Sequence, residues 1–372
     1  MSSDRFSAIT SSSAALGAHT AAEIQSQPDC WQASLEGWAA TGSVRSIAQS
    51  LADRRRWLFI GCGSSFYLAQ AAAACWRMIT GLEARAVPAS ELLLFPQLAW
   101  EPDSGWQPVL ISRSGTTSEV LRAAALLAAE RQPFLAVTCT AGEELERRAA
   151  ASLRPAAAAE QSTVMTLSFT AMLLGLQLLA AEFAAALDPR AADLREALFA
   201  MPRQARAFAA QSRAAIEDLV ARREFLDFVW LGQGPYYGLA CEGALKVQEM
   251  SCSYAKSFHT LELRHGPKSI VAPDTLVLFQ LSADGYAAER GVLEEVKSLG
   301  GTTLAVAARA DNSTRAAADL LLETGWDGPE LAYLAPRLIP AQWLGLFTGR
   351  RKGLDSDHPR HLSRVVLLPG GN

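Results

Sequence analysis

The strongest constraint on this chain is a short unit that occurs twice: an apolar strand, a Gly-x-Gly turn and a helix-forming run. In the first half Trp57-Leu58-Phe59-Ile60 leads into Gly61-Cys62-Gly63-Ser64-Ser65 and an alanine-rich stretch from Phe66 to Met78. In the second half Phe228-Val229-Trp230-Leu231 leads into Gly232-Gln233-Gly234 and a helical run from Tyr237 to Ser251. A strand handed through a glycine turn to a helix is half of a parallel βαβ unit. Its recurrence suggests an internal duplication, and so an α/β chain of two three-layer domains on parallel sheets. With 372 residues, half of them apolar, there is enough chain for two cores.

The same grammar continues between the two units. Val109-Leu110-Ile111 enters Ser112-Arg113-Ser114-Gly115-Thr116-Thr117, with a helix expected from Ser118 to Glu130. A strand is expected over Phe134 to Thr138 and a long apolar helix from Leu167 to Leu187. That helix carries Ser168, Thr170 and Gln177 and is too short for a membrane span, so a buried core helix is expected. Further strands at 276–280 and 303–307 flank a helix from Ala287 to Leu299, and a last helix lies near Pro340–Arg350. The organisation read from this is a tail and helical segment over 1–45, broken at Pro28, and a first domain over 46–188. A helical connector over 189–222, a second domain over 223–352 and a C-terminal tail over 353–372 follow.

The clearest binding signal is the hydroxyl content of the two turns in the first domain. Ser64, Ser65, Ser112, Ser114, Thr116 and Thr117 sit where strands hand over to helices. Free N–H groups and the helix dipole favour an anion there, and hydroxyls add donors without fixed charge. Capping accounts for one such residue per helix. Two clusters at adjacent strand ends suggest a shared ligand such as a sugar phosphate. There is no GxxxxGK[ST] and no full GxGxxG, which argues against ATP and NAD.

The second domain carries the candidate chemistry. On the Tyr237–Ser251 helix, Glu242, Lys246 and Glu249 share one face. A carboxylate to carry a proton, beside a cation to steady oxygen charge, suits proton transfer between neighbouring carbons. The same spacing also fits a solvated face with an ordinary ion pair, worth a few tenths of a kcal/mol. His265, in Leu263-Arg264-His265-Gly266-Pro267, is held on a turn and is either inert or an acid-base group.

Several classes are disfavoured. A net charge of −4 argues for neither nucleic acid nor an anionic membrane. Six cysteines show no CxxC pair, as in a reducing cytoplasm, and no secretory signal is visible at the N-terminus. His358 and His361 lack a third metal ligand, so no metal is expected; Asp355, Asp357 and Arg360 are expected to pin the tail.

Together CGSS, SRSGTT, EGALKVQE, ELRHGP and GLDSDHPRHL resemble a double sugar-isomerase (SIS) domain protein over nearly the whole chain. The resemblance implies two tandem flavodoxin-like α/β/α domains and no cofactor. It implies phosphate binding by Ser65, Ser112, Arg113, Ser114 and Thr117, with Ser64, Glu242 and Arg364 nearby. It also implies proton transfer by Glu249 assisted by Lys246, ring opening by His265, and a homodimer with the site at the subunit interface. The same motifs are similar to the isomerase half of glucosamine-6-phosphate synthase. No glutaminase segment is seen ahead of them, and Arg364 stands where the synthase tail has an imine-forming lysine. RHGPKS and SRVV look closer to stand-alone galactosamine-6-phosphate deaminase/isomerases. The expected activity is therefore a cytoplasmic amino-sugar phosphate deaminase/isomerase. A fructosamine-6-phosphate deglycase and a non-catalytic sugar-phosphate sensor are the alternatives.

Overall fold

The computed structural model describes residues 16–100, 105–185 and 191–368. The start of the N-terminal tail, the end of the helix expected to reach Leu187 and the last four residues lie outside them. Among the described residues ten strands form two sheets. The first holds β1 (Arg56–Gly61), β2 (Glu83–Pro88), β3 (Trp106–Ile111), β4 (Leu135–Val137) and β5 (Ala151–Leu153). The second holds β6 (Asp227–Gly232), β7 (Tyr254–His259), β8 (Thr275–Gln280), β9 (Thr302–Ala307) and β10 (Leu320–Glu323).

Every pairing is parallel, and the orders are β2-β1-β3-β4-β5 and β10-β9-β8-β6-β7. Each sheet therefore places its second strand outside its first and winds the other way from its third, the flavodoxin-like order. In such sheets ligands bind where the winding reverses, outside the carboxyl ends of the strands. Those points are β1/β3 and β6/β8.

The central strands are buried on both faces, which explains their unbroken apolar runs. β2 and β7 are edge strands, and their mixed polar and apolar sequences, EARAVP and YAKSFH, give no such signal. The Leu167–Ala184 helix is the one described helix long and apolar enough to cross a membrane, but 94% of it is buried within the fold. It packs against the Ser64–Thr80 helix and the helices at 18–41, 43–50 and 191–222 as a core element.

Pro28 does not break the first helix, which runs unbroken over Ala18–Thr41. A proline cannot donate to the carbonyl four residues back. Here the Gln27 side chain donates to that Ile24 carbonyl at 3.1 Å instead. The start of this helix is tied to the C-terminal tail. Asp355 accepts from the Gly17 N–H at 2.8 Å, and Asp357 from the Thr20 N–H and hydroxyl at 2.7 and 2.6 Å. Arg360 is exposed and takes no part.

The two halves meet through the Ser64–Thr80 and Pro235–Ser251 helices, the ones that follow the two glycine turns. Gly238 lets them approach closely: a Cβ there would lie 2.6 Å from both the Tyr67 carbonyl oxygen and the Ala71 nitrogen. Both neighbours are backbone and cannot rotate away. Gly238→Val is expected to push the helices apart and cost about 1–3 kcal/mol in urea unfolding. A variant as stable as the parent would show that the interface tolerates a wider spacing.

Candidate active site

The glycine turns are set by close approach. A Cβ on Gly61 would sit 2.5 Å from the Ser65 carbonyl carbon, and Gly63 adopts φ 54°. The turn thus delivers Ser64 and Ser65 to the first turn of their helix. At the end of β3, Gly115 (φ 69°) curls the Ser112–Thr117 loop under the next helix. Ser112 Oγ lies 3.0 Å from Thr117 Oγ1 and 3.5 Å from Ser114 Oγ, and accepts from the Gly115 N–H at 3.2 Å. Neither helix is capped by a side chain of its N-cap residue. The Thr117 hydroxyl faces its loop partners instead, so simple capping does not account for it.

These two turns line a cavity of about 200 Å³ at the β1/β3 switch point. Ser64, Ser65, Arg113, Ser114, Thr117, Glu249 and Arg364 all border it, so residues from both domains and the tail converge on one space. Ser112 is buried and braces Thr117 from the other side.

Behind Glu249 lies the cation. Lys246 is wholly buried and its Nζ touches Glu249 Oε2 directly. The same Nζ stands 3.2 Å from Glu242 Oε1 and 3.2 Å from Ser64 Oγ. This helix face is therefore buried, not solvated. Burial pushes the Glu242 carboxyl up to about 7, with Lys246 opposing and Glu249 adding to the shift. For Lys246, burial works against the charge, but Glu242 and Glu249 outweigh it and raise its pKa. Glu249, 18% exposed, is the member of the triad that reaches the cavity.

Arg113 is engaged in holding the cavity wall. It pairs with the buried Glu160 at 3.2 Å and donates to the carbonyls of Thr163 at 3.0 Å and Arg364 at 2.8 Å. Arg364 returns a bond to the Glu160 carbonyl. The tail segment 362–366 is thereby strapped across the cavity, and the Val366 carbonyl accepts from the Ser118 N–H at 3.2 Å.

His265 is not part of this assembly. It follows the 3-10 turn Thr260–Arg264 beyond β7, is exposed, and does not line the cavity. Sequence reasoning gave no role to Glu160, Thr163, Met165 or Cys62, all at or next to the cavity. Glu160 is a lone acid in an alanine-rich stretch, the one signal that could have marked it. Burial raises the Cys62 thiol to about 12, with Glu119 adding to the shift, so it remains a thiol. Among the described residues no group of three metal-ligating side chains occurs.

Residues 50–182, which include the two hydroxyl-bearing turns of the first sheet, match the SIS domain family model. Glucosamine-6-phosphate deaminase from Thermotoga maritima superposes with a TM-score of 0.78 at 28% identity, over 94% of this chain and all of that one. Tagatose-6-phosphate ketose/aldose isomerase from Escherichia coli shares the fold, with a TM-score of 0.79 at 23% identity over 93% and 97% of the two chains. The glutamine–fructose-6-phosphate aminotransferase of Pyrobaculum aerophilum is 28% identical over 93% of this chain, which spans 57% of that protein's length.

Glu242 gives the site a measurable pH signature. A carboxyl raised from 4.5 to about 7 on folding holds a proton that the unfolded chain releases. Its contribution to stability falls as pH rises from about 4.5 to about 7 and is level above that. Glu242→Gln cannot ionise and is expected to lose this slope in urea unfolding across the window. An unchanged slope would place the titration on another group.

Proposed function

We infer that the chain is a deaminase/isomerase of a hexosamine 6-phosphate, forming a ketose 6-phosphate and ammonia. One observation carries this reading: the Glu249 carboxylate and the Ser/Thr loops face one cavity, with the Lys246 charge buried directly behind the acid. Ser65, Ser114 and Thr117, braced by Ser112, hold the phosphate. That places the sugar's other end toward Glu249. In the open-chain aldose Glu249 takes the C2 proton and returns it to C1, the amine nitrogen gives up a proton as O1 gains one, and Lys246, behind the acid, holds the carboxylate in place. The C2 imine that results takes up water and releases ammonia. With a hydroxyl at C2 the same steps would be an aldose–ketose isomerisation.

Ring opening needs a further acid-base group, and no histidine borders the cavity among the described residues. In this reading His265 of the partner subunit enters the site, which makes the working unit a homodimer. No step calls for a cofactor, and the likeness to the Thermotoga deaminase at 28% identity supports the reaction class. A reducing cytoplasm fits the six unpaired cysteines.

The reading is tested by offering a panel of hexosamine and fructosamine 6-phosphates and measuring ammonia and ketose. Hexosamine 6-phosphates are expected to yield both, and the yield to depend on the phosphate. Glu249→Gln keeps the shape and is expected to lose about 10²–10⁴-fold in kcat. Ser114→Ala should act mainly on KM, since its contact exists before and during the reaction. Wild-type turnover by Glu249→Gln would remove the carboxylate from its role.

The tail separates deamination from an imine-based synthesis. Arg364 cannot form an imine with a ketose, and Lys246 is committed to two carboxylates. Borohydride reduction in the presence of fructose 6-phosphate is expected to leave no sugar on the protein by mass spectrometry. An adduct on a lysine of the site would overturn the imine-free route.

A further inference from the structure

Arg113 stands in the hydroxyl loop, between Ser112 and Ser114, yet its guanidinium is spent elsewhere. Its backbone is anchored first: the Arg113 carbonyl accepts from the Cys139 N–H at 3.0 Å and from the Thr138 hydroxyl at 3.2 Å. From this base the side chain reaches three oxygens. Nη1 donates to Glu160 Oε2 at 3.2 Å and to the Thr163 carbonyl at 3.0 Å, and Nη2 to the Arg364 carbonyl at 2.8 Å. An arginine that binds a phosphate presents two parallel N–H groups to it. Here Nη1 and Nη2 are both turned to protein oxygens. The side chain is 8% exposed, so little of it meets the cavity, and a wholly buried carboxylate balances its charge.

Two of the three oxygens are held without Arg113. Glu160 Oε1 accepts from the Thr166 and Ser168 N–H groups at 2.7 and 2.9 Å, and Oε2 from the Ser168 hydroxyl at 2.6 Å. The Thr163 loop is fixed by Glu23, which accepts from the Ser162 N–H at 3.1 Å, and by the Thr163 N–H on the Asp357 carbonyl at 3.3 Å. The third oxygen belongs to the tail, which is exposed from His361 to Arg364 while Leu362, Ser363 and Val365 border the cavity. The bond to Arg113 therefore matters most to the tail.

We propose that Arg113 is a positioning residue: its guanidinium clasps the tail over the cavity and so sets how tightly the sugar part of a sugar phosphate is held, while the phosphate itself is left to the hydroxyls. The effect on affinity rests on the reading of the cavity as a sugar-phosphate site; the clasp does not. Without it, residues 362–366 swing away from the mouth and the sugar loses one wall.

Arg113→Lys separates a clasp from a phosphate ligand. One ammonium can take the place of Nη1 on Glu160, which keeps the charge beside the hydroxyl loop, but it cannot also reach the Arg364 carbonyl. In the full chain, initial tryptic cleavage at Arg364–Val365 relative to Arg360–His361, outside the strap, is expected to rise at least about fivefold as the open tail becomes more populated. Fructose 6-phosphate binding by calorimetry is expected to weaken about tenfold, the order of one charge-assisted hydrogen bond, with inorganic phosphate unchanged. The double variant Arg113→Gln/Glu160→Gln leaves no buried charge unpaired and is expected to behave alike. A parent-like cleavage ratio in both variants would overturn the proposal. So would parent affinity for fructose 6-phosphate despite faster cleavage, or an equal loss with inorganic phosphate. If the parent binds no fructose 6-phosphate, the reading of the cavity fails and the cleavage ratio alone decides the clasp.

Discussion

The ammonium of Lys246, buried without solvent contact, is the interaction on which the rest of the site depends. An isolated charge in such a place costs several kcal/mol, and only well-placed partners offset it. Two of those partners, Glu242 and Glu249, come from the same helix and are fixed by its pitch. The third, Ser64, belongs to the other domain and reaches Lys246 only because Gly238 lets the two helices lie close. Compensation of the charge and docking of the domains are therefore one event. The acid that meets the cavity is held in place by the same contact that holds the halves together.

The duplicated architecture has been put to different uses in its two copies. Gly61 and Gly232 are subject to the same constraint, since a Cβ on either would strike the backbone of the following turn, at 2.5 and 2.3 Å. The backbone is thus retained while the side chains it delivers diverge. After Gly63 come Ser64 and Ser65, small donors that leave room for an anion. After Gly234 come Pro235, which has no N–H to offer, and Tyr236, which fills the space with a ring. The second copy contributes its helix to the first copy's cavity. One half brings the hydroxyl loops to the cavity while the other brings the acid that faces them, Glu249.

Much of this was legible in the chain because the central strands carry it. WLFI, PVLI, FVWL and LVLF are buried on both faces and read as unbroken apolar runs. The turns that follow are marked by glycine and hydroxyls. Strands β2, β5, β7 and β10 were not legible, being edges or short pieces whose residues face solvent in part. Pro28 misled because the rescue of the Ile24 carbonyl by Gln27 is a tertiary-scale detail with no sequence signature. The helix face of Glu242, Lys246 and Glu249 was read as a possible solvated stripe, since periodicity places residues on a common face without saying what covers it. The Ser64–Thr80 helix covers it in part: Gly238, four residues before Glu242, packs on Tyr67 and Ala71, and Ser64 Oγ lies 3.2 Å from Lys246 Nζ. Glu160 and Thr163 escaped because a loop shows no period at all.

The tail shows why side-chain identity at Arg364 is a matter of geometry as well as chemistry. Segment 362–366 is held largely through its backbone: the Arg364 carbonyl accepts from Arg113, and the Val366 carbonyl from the Ser118 N–H. Backbone contacts of this kind tolerate many sequences. Among the described residues the side-chain hydrogen bond that anchors it is from the Arg364 guanidinium to the Glu160 carbonyl, and Glu160 in turn holds Arg113 with its carboxylate. Arg113, Glu160 and Arg364 close a ring in which each clamps the next. A guanidinium spent in that ring positions the strap over the cavity, where Glu249 is the one carboxylate among the described residues that lines it.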